Sequence, residues 1–254
     1  MTEQEISEIA ELLDNAEQEN RDIVKITDQH PDLSIHDALE IQWAIRARKE
    51  ARGTRIVGMK MAGMNPNVDQ AHYGFLADYF SVPQGGEVNT KQLLHPKVEA
   101  EIAFVTSEEL AGPGCHIGKV LAATDFIVPT IGISNSRYKD CESDLASAIA
   151  DNASASRFVI GGRPLLVDEL DLRTIGVVVE KNGSVVEVGA GAAVLGNPAA
   201  SVAMLVNMLA ERDQVLPAGS IVMTGSITSA VAVEPGDAII AHFQHLGDVS
   251  LKVV

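Results

Sequence analysis

The chain has 254 residues, of which 46% are hydrophobic and 21% charged, and its formal net charge is −16. Such an acidic chain is a poor match for nucleic acid or an anionic membrane surface, because both carry negative charge themselves. Its two cysteines lack the spacing of a disulfide framework or a metal site, which predicts a reducing, cytoplasmic compartment. The first residues do not follow a signal-peptide pattern, and we expect no membrane-spanning run.

The N-terminal part of the chain is helical in its periodicity. Residues 3–20 predict one helix, and a second begins after Ser34, an N-cap residue with Asp37 three positions on as the acid of a capping box. The second helix should end near Gly53, behind the basic stretch RARKEAR. The apolar positions that define the face of the first helix are Ile6, Ile9, Ala10 and Leu13. We therefore expect a helical segment over residues 1–54.

Short apolar runs and frequent glycine dominate residues 55–254, which predicts a β-rich domain. Asn182-Gly183 lies between two valine-rich runs and is a strong signal for a β-hairpin. One helix interrupts this pattern, capped by Asn197 and carrying Pro198 in its first turn. Since strands and helices do not alternate regularly, we predict an α+β fold that is mostly β rather than a doubly wound sheet.

Glu99 and Glu101 stand two residues apart in the apolar run VEAEIAFV. Side chains on a strand alternate between faces, so both carboxylates should point to one side. One interpretation is a pair of solvent-facing acids on a half-buried strand. The alternative is a site for Mg²⁺ or Mn²⁺, which prefer oxygen ligands.

Lys60 lies within the otherwise uncharged stretch IVGMKMAG. It is either a lysine at a strand end with its amine in solvent, or a positioned cation that polarises a carbonyl or moves a proton. Cys115, in the glycine-rich stretch GPGCHIG, has only His116 as an activating neighbour, so a nucleophilic role is not expected.

Small polar residues form two further candidate groups. The stretch DNASASRF is either a polar turn or a place where Asn152, Ser154 and Ser156 bind an oxyanion. In MTGSIT, Thr224 and Gly225 either end a strand or line a pocket.

Seven stretches occur in a characteristic order: RKEARGTRIVGMKM, YGFLADYF, HPKVEAEIAFV, GPGCHIG, DNASASRF, GAGAAVLGNPAASVAML and LPAGSIVMTGSIT. Together they resemble the 2-oxo-acid hydratase and decarboxylase branch of the fumarylacetoacetate hydrolase superfamily. The resemblance runs from about residue 35 to the C-terminus and is most pronounced for the decarboxylase members.

The resemblance implies a mixed β-roll behind an N-terminal helical segment, and a Mg²⁺ (or Mn²⁺) site with Glu99 and Glu101 as ligands. It implies Lys60 and Ser154 as catalytic residues, with Asn152, Ser156, Thr224 and Gly225 contacting substrate. The implied reaction is decarboxylation of 2-oxo-3-hexenedioate to 2-hydroxypenta-2,4-dienoate in the meta-cleavage catabolism of aromatic compounds. The implied assembly is a homo-oligomer that associates with the downstream hydratase.

The sequence departs from this family at its metal site. The position that matches a third carboxylate ligand is Gly132, and a nearby aspartate is replaced by Asn135. The loop after Lys60 is also shorter. The third ligand could come from Asp69, Asp78 or Asp125. Three interpretations follow: a decarboxylase or hydratase with a rebuilt and weaker metal site, an enzyme of altered reaction such as an isomerase or another 2-oxo-acid lyase, and a catalytically silent relative that binds a partner subunit.

Overall fold

A computed structural model describes residues 1–64, 71–141 and 143–254. The helices are α1 Glu3–Glu19, α2 Ile26–Gln29, α3 Ile35–Ala51, α4 Ile117–Ala122, α5 Leu145–Ala150 and α6 Pro198–Ala210. The three long helices match the sequence predictions. The short ones (α2, α4 and α5) were missed because four to six residues are too few to show a helical period.

The strands fall into two sheets. The first has the order β2-β1-β10-β5-β6-β7-β3, with β11 paired to β5, and the second has the order β4-β13-β12-β8-β9. The strand bounds are β1 Ile56–Ala62, β2 His72–Ala77, β3 Ser81–Val82, β4 Glu87–Val88, β5 Lys97–Thr106, β6 Thr124–Ser134, β7 Ala155–Ile160, β8 Gly176–Lys181, β9 Ser184–Ala190, β10 Ile221–Met223, β11 Val231–Ala232, β12 Ala238–Phe243 and β13 Gly247–Val253. The predicted α+β fold with a β-rich body is confirmed.

The first sheet curls into a roll. Its two edge strands, β2 and β3, are joined by the three-residue turn Asp78–Phe80. Three residues span at most about 11 Å, so the two edges of the sheet must lie close together. Leu76 from one end of the sheet and Phe158 from the other accordingly pack in one buried cluster with Met223 from its middle. That cluster fills the inside of the roll.

The outer face of the roll carries the main core of the protein. Ile102 and Phe104 of β5 pack there with Ile239 and Val249 of the second sheet, and α6 adds Leu205. Burial of these apolar side chains from both sheets is the main driving force that holds the two layers together.

The N-terminal helices pack as a separate layer. Leu13 of α1 and Ile41 of α3 share a buried cluster with Ile149 of α5. Ser34 caps α3 as predicted, but Asp37 does not complete a capping box. Its carboxylate instead accepts hydrogen bonds from the Ser34 hydroxyl and the N-terminal amine. The division into a segment over 1–54 and a domain over 55–254 stays a prediction.

Two local predictions concern turns and membrane spans. Lys181 and Ser184 pair across a hairpin in which Asn182 and Gly183 have φ of 56° and 77°, as a type I′ turn requires.

The expectation that no run could span a membrane needs a correction, because the stretch Gly191–Ala210 is long and apolar enough to do so by length and hydropathy. Within it, α6 has only 13 residues, about 20 Å of helix, and Val202, Leu205 and Leu209 are buried in the core. It is packed as a core helix.

Candidate active site

The strand register places the predicted charged residues on one face of the first sheet. Lys60 lies opposite Met223, which lies opposite Ala103 on β5, the same strand as Glu99 and Glu101. Directly paired residues share a face, as do residues two apart on a strand. Because Met223 and Ala103 belong to the cluster inside the roll, the side chains of Lys60, Glu99 and Glu101 also face inward.

Glu101 is the most buried acid of this group, with no exposed surface. Its Oε2 accepts a hydrogen bond of 2.8 Å from the backbone N–H of Gly225, while Oε1 has no hydrogen-bond partner among the described residues. Burial raises the pKa of Glu101 to about 7, and Glu99 adds to this shift while Lys60 opposes it. The Lys60 ammonium and the Gly225 N–H therefore do not fully offset the cost of burying a negative charge at Glu101.

Glu99 is more exposed than Glu101 and is paired with Lys60. The distance from Lys60 Nζ to Glu99 Oε2 is 4.0 Å, and the exposed fractions of the two side chains are 7% and 21%. The lysine is thus buried within the roll rather than extended into solvent. The two acids face a cation, which reduces the repulsion between them.

Gly132 lies directly opposite Glu99 on β6. A Cβ built at this glycine would lie 2.8 Å from Glu101 Oε1 and 3.0 Å from Met223 Cε. Position 132 thus faces the orphaned carboxylate oxygen but brings no ligand atom to it.

Two of the residues considered as substitute ligands, Asp78 and Asp125, do not join the pair. Asp78 forms an ion pair of 3.2 Å with Arg55, and Asp125 is exposed near the start of β6. Asp69 lies outside the described residues. Within 1–64, 71–141 and 143–254, three or more acidic, histidine or cysteine side chains do not come together in a metal-binding group.

The DNAS stretch forms a turn that packs on the first two strands. The Asn152 side chain accepts a hydrogen bond of 2.7 Å from Phe75 N and donates one of 3.0 Å to Phe75 O. Gly74, which pairs with Lys60, permits this approach, because a Cβ there would lie 2.3 Å from Asn152 O. Ser154, half-buried in this turn, is therefore held beside the strand of Lys60.

Three of the predicted substrate contacts have other partners in the structure, and their contact with substrate stays a prediction. Both polar side-chain atoms of Asn152 are used by the backbone of Phe75, so this residue positions the turn. Thr224 is fully buried and its hydroxyl donates to Ile102 O at 2.9 Å, which ties β10 to β5. Ser156 lines a cleft with Arg157 and Asn135, and Glu99 and Glu101 are not among the lining residues of that cleft. The pairing of β6 with β7 contains a bulge, because β7 has one extra residue at Ser156. The bulge changes the side of the sheet on which the Ser156 side chain lies.

Sequence reasoning also missed a buried ion pair beside the DNAS turn. The Arg137 guanidinium donates to Asp151, and the backbone N–H of Arg137 donates to the same carboxylate at 3.1 Å. Burial nevertheless raises the pKa of Asp151 to about 6, with Arg137 opposing the shift. The sequence signal that could have pointed to this ion pair was the position of Asp151 directly before Asn152 in DNASASRF. This ion pair helps to hold the DNAS turn in place.

Lys60, Glu99 and Glu101 thus form a charged group on the inner face of a curled mixed sheet. Residues 67–254 match the family model for the C-terminal domain of fumarylacetoacetate (FAA) hydrolase, and the chain belongs to this family.

Relatives that match over their full length indicate which members of this family the chain is similar to. The chain is 55% identical over 261 residues to 4-oxalocrotonate decarboxylase of Pseudomonas sp. (strain CF600), covering 100% of this chain and 98% of that protein. It is 33% identical to 2-oxo-hept-4-ene-1,7-dioate hydratase of Escherichia coli, covering 97% of each. The structure of 4-oxalocrotonate decarboxylase from Pseudomonas putida G7, complexed with magnesium and adipate, superposes with a TM-score of 0.98 at 52% identity, covering 100% and 99% of the two chains. The resemblance seen in the motifs is confirmed, on the decarboxylase side of the branch.

Proposed function

We propose that this protein is a cytoplasmic, metal-assisted decarboxylase that converts 2-oxo-3-hexenedioate to 2-hydroxypenta-2,4-dienoate. The observation that carries the proposal is the inward-facing group of Lys60, Glu99 and Glu101. It occurs in a chain that matches 4-oxalocrotonate decarboxylases over their full length at 52–55% identity.

The residues present suit a divalent cation that is held by few protein ligands. Glu101 offers a buried carboxylate oxygen without a hydrogen-bond partner in the described part of the chain. Its pKa is raised because the positive charge of Lys60 does not fully offset the effect of burial. Mg²⁺ commonly uses one or two carboxylates and keeps several waters. Glu99 and Glu101 would therefore hold Mg²⁺ or Mn²⁺. When bound, the ion would stabilise negative charge on the C2 oxygen of the substrate as CO₂ leaves.

The chain's own residues contribute orientation and charge. The N–H of Gly225 fixes the Glu101 carboxylate, and Glu99 holds the Lys60 ammonium inside the roll. We infer that Lys60 stabilises the developing oxyanion and that Ser154 contacts the substrate from the adjacent turn. Met223 and Phe158 belong to the buried apolar cluster on the same face of the sheet, and such low-polarity surroundings strengthen electrostatic interactions.

A second candidate is a catalytically silent family member that serves a partner subunit. Gly132 favours it, because the side chain that would face Glu101 Oε1 is absent and the described residues bring only two carboxylates together. Such a protein would retain the fold and bind neither metal nor substrate productively.

Turnover distinguishes the candidates. The purified protein is given 2-oxo-3-hexenedioate with Mg²⁺ or with EDTA, and release of CO₂ is measured together with loss of substrate absorbance. We expect Mg²⁺-dependent release that Lys60→Met abolishes and that Lys252→Met, at an exposed position on the second sheet, leaves unchanged. Hydration of 2-hydroxypenta-2,4-dienoate without CO₂ release would indicate a hydratase, and absence of both reactions would support the silent relative.

A further inference from the structure

A polar cleft of about 480 Å³ lies between the C-terminal end of α1 and strand β7. Among the residues that line it are Lys91, Asn135, Ser156 and Arg157. The cleft does not include Lys60, Glu99 or Glu101, and its size suits a small metabolite.

Two buried polar side chains present hydrogen-bond donors to this cleft. Asn135 is 3% exposed, and its Oδ1 accepts from Leu94 N and His95 N. Its Nδ2 has no hydrogen-bond partner in the described parts of the chain. Ser156, also 3% exposed, is approached only by Arg157 Nη1 at 3.4 Å, so its hydroxyl proton is free to donate. The Asn135 amide nitrogen is not among the buried polar atoms that lack a partner, so it is open to the cleft, where a ligand can accept a hydrogen bond from it.

The uncompensated charge of the cleft is positive. Arg157 donates to Ser156 O at 2.9 Å and lies 5.8 Å from the Phe80 ring centroid, but it forms no ion pair within the described residues. Lys91 is exposed and likewise has no acidic partner there. The other charged lining residues are already paired: Arg52 with Asp14, Glu17 with Lys49, and Glu19 with Arg21. Two cations without an acidic partner among the described residues therefore lie on this one cleft.

We propose that this cleft is a second binding site, for a small organic anion that carries a carboxylate. A guanidinium, an amide N–H and a hydroxyl together offer donors, whereas an ionised carboxylate is purely an acceptor. The planar guanidinium fork matches two carboxylate oxygens. The site does not depend on the proposed decarboxylation.

The cleft shares a structural link with the catalytic face. The backbone N–H of Asn135 donates to Ser154 O at 2.8 Å, so the residue that would bind the anion also holds the turn carrying Ser154. The two sites nevertheless use different side chains and can be distinguished by mutation.

Calorimetric titration of the Mg²⁺-loaded protein with succinate tests the proposal. We expect saturable binding that Arg157→Gln weakens by about tenfold or more, since a charge-assisted contact is lost. Ser156→Ala should weaken it less. Arg163→Gln, an exposed arginine whose guanidinium donates to His245 O, is the matched control and should bind succinate as wild type does. The affinity for Mg²⁺ should not change in any of these variants.

Several results would overturn the inference. They are absence of saturable binding up to about 10 mM succinate, equal binding by wild type and Arg157→Gln, or loss of Mg²⁺ affinity together with succinate affinity, which would place the succinate at the metal. Tighter binding of inorganic phosphate than of succinate would overturn the carboxylate class. If circular dichroism shows that Arg157→Gln does not fold, Ser156→Ala and Lys91→Gln decide the question, because unchanged affinity in both would exclude the cleft.

Discussion

Gly132 pairs with Glu99 across β5 and β6, and a Cβ added to it would stand 2.8 Å from Oε1 of Glu101, two residues further along β5. The contact is made by the flexible end of a carboxylate, which can move aside. Gly132 is not among the residues with positive φ, so its backbone admits a side chain. A side chain at position 132 would therefore reach the same interior space as Glu99 and Glu101.

Gly132→Glu should tighten Mg²⁺ binding by about tenfold or more, because it adds one charge and at least one coordinating oxygen. Calorimetric Mg²⁺ titration of wild type and variant measures the change, and circular dichroism checks folding. Gly132→Gln is the matched control, as it has the same shape without the charge and should gain much less. Tight binding by wild type would show that another residue already supplies the third ligand. A folded glutamate variant without a gain would exclude the proposed ligand pair.

Glu101 should make the metal-free protein less stable as the pH rises. Its pKa is about 7 in the folded protein against 4.5 for the free side chain, so the folded state favours the protonated form. The contribution to stability is complete below pH 4.5 and is lost as the pH rises to about 7. A shift of this size corresponds to ~3 kcal/mol as an order of magnitude.

Urea unfolding of the EDTA-treated protein between pH 4.5 and 8 checks this pH dependence. Glu101→Gln should flatten the curve and be more stable than wild type at pH 8. Saturating Mg²⁺ should restore the stability of wild type and leave the glutamine variant nearly unaffected. A wild-type curve with the same slope as that of Glu101→Gln would contradict the assignment.

Asn152→Ala should reduce the free energy of unfolding by about 2–4 kcal/mol. The substitution removes two hydrogen bonds and leaves the N–H and C=O of Phe75 unsatisfied in the interior. Thermal or urea denaturation gives the difference. Gln4→Ala, which removes an exposed amide from α1, should change the stability by less than about 0.5 kcal/mol. Wild-type stability together with lost turnover would instead mark Asn152 as a substrate contact.

We also predict a homo-oligomer that associates with the downstream hydratase. The edge strand β9 supports this assembly, because Val185 and Val188 are 59% and 64% exposed on it. Exposed valines on an unpaired strand edge favour pairing with another chain. Light scattering at micromolar concentration, with and without the hydratase, measures the assembly. A monomer in both conditions would refute the prediction, and Val188→Lys should weaken an assembly that uses β9.

The sequence predicted features that depend on local chemistry. Ser34 caps α3, Asn182-Gly183 forms the hairpin turn, and Glu99 and Glu101 share a face, because each follows from residue type and spacing. The roles of Ser156 and Asn152 could not be predicted in this way. A single extra residue in β7 changes the face that Ser156 meets, and only the arrival of β2 beside the DNAS turn commits the Asn152 amide to Phe75.

The short link Asp78–Phe80 has a consequence for motion. Because it joins the two edges of the first sheet, the roll cannot open by swinging one edge outward, as a lid would. The amides of β1, β5 and β6 should therefore exchange their hydrogens together, at a rate set by global rather than local unfolding. Lys60 and Glu101 would then remain neighbours throughout every turnover.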